Sequence, residues 1–74
     1  MAFDYSKLSG KVVEVFGTNA NFAREMGLSE RSVSLKFNNR VPWKQAEIVR
    51  AAGLLGIDIS EIQAYFFTEK VQSA

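Results

Sequence analysis

Between Thr18 and Asn39, in TNANFAREMGLSERSVSLKFNN, a small residue, a glycine and a series of apolar side chains are spaced to fit two short helices meeting at a tight turn. Ala23 stands four positions before Gly27, and Leu28 follows the glycine directly. Helices that cross steeply need a small side chain where their backbones approach, and Ala23 provides it. The turn needs a residue that tolerates positive φ, and Gly27 provides that. Phe22 and Met26 anchor the first helix in a core, while Leu28, Val33 and Phe37 anchor the second. Ser29 is placed to cap the second helix. The pattern is that of a helix-turn-helix, whose second helix commonly lies in the DNA major groove. The same spacings also suit a plain helical hairpin in a bundle that has no affinity for DNA.

The rest of the chain is consistent with one small all-α domain. Seventy-four residues allow a single modest core, and a chain this short buries only about 60% of its unfolded surface. There is no Cys and no His, which removes disulfides, thiol nucleophiles, imidazole bases and the usual zinc ligands. An enzyme is not expected, no cofactor is required, and a cytoplasmic protein is the natural expectation in the absence of a signal peptide or a spanning apolar run.

Five helices are expected, and no strand. Leu8, Val12 and Phe16 form a stripe for helix 1, which Gly17 terminates. Thr18 caps helix 2, and helix 3 runs from about Glu30 to Asn38. Asn39-Arg40-Val41-Pro42 is a loop. Helix 4 spans about Trp43 to Leu55 with Ile48, Ala51, Ala52 and Leu55 inward. Gly53 within it costs about 1 kcal/mol against Ala, a cost that close packing would explain. Asp58 and Glu61 form an acidic capping box for helix 5, whose apolar face holds Ile59, Ile62 and Phe66. Residues 1–67 make the domain, and residues 68–74 are expected to fray.

Net charge is only +1, but its distribution is uneven. Residues 18–50 hold six cations, Arg24, Arg31, Lys36, Arg40, Lys44 and Arg50, against Glu25, Glu30 and Glu47. Residues 51–74 hold Lys70 against Asp58, Glu61 and Glu69. The basic excess coincides with the helix-turn-helix. Glu30, Arg31, Ser34, Leu35 and Asn38 lie around the outward side of helix 3 as candidate base readers: Arg31 for guanine, Leu35 for a thymine methyl, Asn38 for adenine or else a phosphate. Asn19 and Asn21 at the start of helix 2, with Lys36, Asn39, Arg40 and Lys44, are candidate phosphate contacts. Trp43 either packs beside Pro42 or offers its N–H to a phosphate. Tyr65, Phe66 and Phe67 are more aromatics than one helix of a small bundle buries, and they are expected to form a homodimer interface. Such a dimer would set two reading helices about 34 Å apart.

The segments FDYSKL, FGTNANFAREMGLSERSVSLKFNN, VPW and YFF resemble the lambda-repressor-like group, and more narrowly the short Cro-type regulators of phages and prophages of Gram-positive bacteria. The resemblance covers about Phe3 to Phe67. It implies a five-helix DNA-binding domain acting as a dimer on operator DNA, with base readers at Glu30, Arg31, Ser34, Leu35 and Asn38. Phosphate contacts would fall at Asn19, Asn39 and Arg40. Asn19 stands where the family often has Gln, and Lys36 where it often has an apolar residue. Whether Leu35 or Lys36 faces the groove is therefore open. Two functions follow. The first is a sequence-specific transcriptional regulator that binds double-stranded operator DNA. The second is a helix-turn-helix interaction protein, an antirepressor or modulator, that binds another repressor instead.

Overall fold

A computed structural model describes residues 2–70, which form five α-helices: α1 (Ser6–Phe16), α2 (Asn19–Met26), α3 (Glu30–Phe37), α4 (Gln45–Leu55) and α5 (Ile62–Phe66). A 3₁₀ turn, Ile59–Glu61, leads into α5. Among the described residues no helix is long and apolar enough to cross a membrane.

Local chemistry sets most of the boundaries. The Thr18 and Ser29 hydroxyls each accept from the amide three residues on, at 3.1 and 3.0 Å, which satisfies one orphan donor of α2 and of α3. Gly27 adopts φ 73° and lets the Leu28 amide return to the Ala23 carbonyl at 2.9 Å. Gly56 repeats the device for α4, at φ 68° with the Ile57 amide on Ala52. Helix 4 begins at Gln45, two residues later than expected, because the Glu47 carboxylate accepts from the Lys44 amide and fixes Lys44 as the cap.

The core gathers Leu8 and Val12 of α1, Phe22, Ala23 and Met26 of α2, Val33 of α3, Ala51 and Leu55 of α4, and Tyr65 and Phe66. Trp43 sits at the centre of an aromatic network, with ring centroids 5.5 Å from Phe66, 5.8 Å from Phe37 and 6.5 Å from Phe22. Its packing role is realised. Gly53 faces open space, so close packing does not explain it.

The ends of the described chain meet, where an unpaired tail was expected beyond residue 67. Phe3 and Glu69 form an antiparallel bridge, the Asp4 amide donates to Thr68, and the Lys70 amide donates to Ala2. Residues 71–74, the remainder of the expected tail, lie outside the described residues.

Candidate functional site

The α2–turn–α3 unit brings the candidate base readers to one face. Arg31, Ser34, Leu35 and Asn38 follow helical spacing, and all but the half-buried Leu35 are exposed; Glu30 is exposed at the helix start. Asn38 is partly engaged, since its side-chain amide donates to the Ser34 carbonyl at 2.9 Å.

Lys36 must be reassigned. It is 3% exposed, and its ammonium meets the Glu47 carboxylate at 2.9 Å and the Pro42 carbonyl at 3.2 Å, over the Trp43 ring. A cation spent on three internal partners does not clamp a phosphate. The phase of α3 follows, with Leu35 outward and Lys36 inward. Glu47 feels burial, which pushes its carboxyl up. The Lys44 amide and the Lys36 ammonium outweigh burial and hold it below the ordinary glutamate value.

The other phosphate candidates divide. Asn21 is exposed but donates to the Phe16 carbonyl. Asn39, at φ 61°, uses both ends of its amide on the Phe3 backbone: Oδ1 accepts from the amide at 2.8 Å, and Nδ2 donates to the carbonyl at 3.0 Å. The Asn19 Oδ1 is buried without a partner, as is the Trp43 indole N–H. Arg40 and Lys44 are exposed, and neither head meets a described residue in an ion pair or hydrogen bond. Arg50 donates to the Glu25 carbonyl and so ties α4 to the end of α2.

The aromatic cluster must be reassigned too. Tyr65 and Phe66 belong to the core, and only Phe67, 46% exposed, reaches solvent. Phe67 stacks edge-on against Phe3 at 5.8 Å. The expected three-residue interface is thereby reduced to one side chain.

Sequence reasoning missed a pocket of about 210 Å³ between the N-terminal segment, the α3–α4 loop and the end of α5, lined chiefly by Phe3, Val41, Pro42, Trp43, Phe66 and Phe67. The run Val41-Pro42-Trp43, three apolar residues in a loop, was the available signal.

A family model described as a protein of unknown function, DUF739, matches residues 1–69. The chain belongs to the DUF739 family. Among solved structures, this DUF739 protein is similar to the modulator of repression (MOR) of the temperate bacteriophage TP901-1 from Lactococcus lactis, determined in solution. The two are 51% identical over 97% of each chain, with a TM-score of 0.80. No curated protein matches the DUF739 chain.

Proposed function

We propose that this chain is a phage-type modulator of repression that acts by binding a partner repressor. The observation that carries the proposal is its 51% identity to such a modulator along nearly the whole length of both chains. The geometry supports it. The cation expected beside the groove-facing residues is internal, Asn39 is committed to Phe3, and an apolar hollow adjoins the end of α3.

The test mixes the purified protein with the repressor encoded by the same phage genome, with and without operator DNA. We expect a complex by size-exclusion chromatography that persists at 200 mM salt, and weak binding of operator by the chain alone. Tight operator binding that collapses between about 50 and 200 mM salt, without a repressor complex, would overturn the proposal.

The exposed Arg31, Ser34 and Asn38 face keeps a second reading, direct operator binding, in play. Under it, Arg31→Ala costs about 1–3 kcal/mol on the specific site and relaxes one base position. Equal loss on every sequence would remove Arg31 from base reading.

A further inference from the structure

We infer that the pocket between the termini and the α3–α4 loop is the docking point for a repressor segment carrying an aromatic or branched aliphatic side chain beside a carboxylate. The inference rests on the partner-repressor proposal and assigns it a surface.

Size points to a side chain. At about 210 Å³ the pocket is smaller than the roughly 300–1,000 Å³ of small-molecule sites. Its walls are mostly apolar, with Asn39 the polar member and Tyr5 at the margin: Phe66 and Trp43 pack edge to face, Pro42 is exposed, and Phe3 packs edge-on against the exposed Phe67. An apolar anchor in a concave aromatic site is the usual centre of a protein interface.

Charge points to the flanking carboxylate. Arg40 and Lys44 bracket Val41, Pro42 and Trp43 in the chain, both exposed and neither paired with a described residue. The carboxylate nearest them in the chain, Glu47, is taken by Lys36. None of the residues that line the pocket is acidic. The loop that supplies Val41, Pro42 and Trp43 is thus flanked by two exposed cations, complementary to acid.

The loop that walls the pocket is also tied to α3. The Arg40 and Val41 amides both reach the Leu35 carbonyl, at 2.9 and 3.4 Å. A second, more open hollow lined by Leu35, Asn38 and Arg40 lies at the end of α3.

The test uses the full chain and the same phage's repressor, with Trp43, the single tryptophan, as the fluorescent reporter. Wild-type protein should shift its emission on binding. Val41→Glu and Phe67→Ser should each weaken the complex at least tenfold. Arg40→Glu with Lys44→Glu should do the same and flatten its salt dependence; both sites are exposed, so this pair remains informative if Val41→Glu fails to fold by circular dichroism. Val13→Ser, exposed on α1, should change nothing. If wild type binds and the folded loop variants bind equally well, the pocket assignment falls and the partner-repressor proposal stands. If wild type does not bind, both fall.

Discussion

At Lys36 a single side chain decides how α3 is held. Breaking a buried ion pair from one side leaves the other charge uncompensated, which typically costs 3–5 kcal/mol. Because Glu47 keeps some solvent, we expect Lys36→Ala to cost about 2–3 kcal/mol in urea denaturation, and Lys36→Met with Glu47→Leu to recover much of it. Acid should act through the same carboxylate. The folded Glu47 carboxyl titrates below its ordinary value of about 4.3, so its contribution is present above that value and lost as pH falls through the folded one. Asp4 and Asp58 shift the same way, chiefly through hydrogen bonds from the Ser6 and Ser60 side chains. The urea midpoint should therefore drop as pH is lowered from about 5 to 3, and the slope should be shallower in Glu47→Gln; an unchanged slope would count against the Lys36–Glu47 pair. None of this was legible at Lys36 itself. A lysine after an outward leucine reads as surface, and its partner lies in the next helix, beyond a loop.

Among the elements, those fixed by neighbours in sequence were legible and those fixed by distant contacts were not. Thr18, Ser29 and Gly27 act within a few residues, so their types alone place α2, the turn and α3. Helix α5 is only five residues long, too short for periodicity to phase Tyr65, Phe66 and Phe67. Core packing decides instead. Phe66→Ala should cost about 3–5 kcal/mol, a large share of a small domain's stability, whereas Phe67→Ser should cost about 1. Equal thermal shifts would contradict this division. Helix α4 carries a glycine that nothing crowds. Gly53→Ala should raise stability by up to about 1 kcal/mol, seen as a higher urea midpoint; a loss would mean that this face is not open.

For the molecule as a whole, an all-α fold with a helix-turn-helix could be read from spacing, but the choice between DNA and protein as partner could not. That choice turns on which polar groups the fold consumes. Lys36, Asn21 and Asn39 are consumed, while the Arg40, Lys44 and Arg31 heads meet no described residue in an ion pair or hydrogen bond. The closure of the termini consumes polar groups as well. Asn39 holds the Phe3 backbone, and its left-handed φ suits Asn or Gly. Asn39→Gly should keep the loop yet speed hydrogen exchange at the Asp4 and Lys70 amides; unchanged exchange would show that the bridge stands without it. Those few bonds also make the surface separable from the fold. An exopeptidase that trims the chain through Phe3 removes one wall of the pocket and leaves all five helices their sequence. Loss of the proposed docking with helical circular dichroism retained is the outcome expected of such trimming.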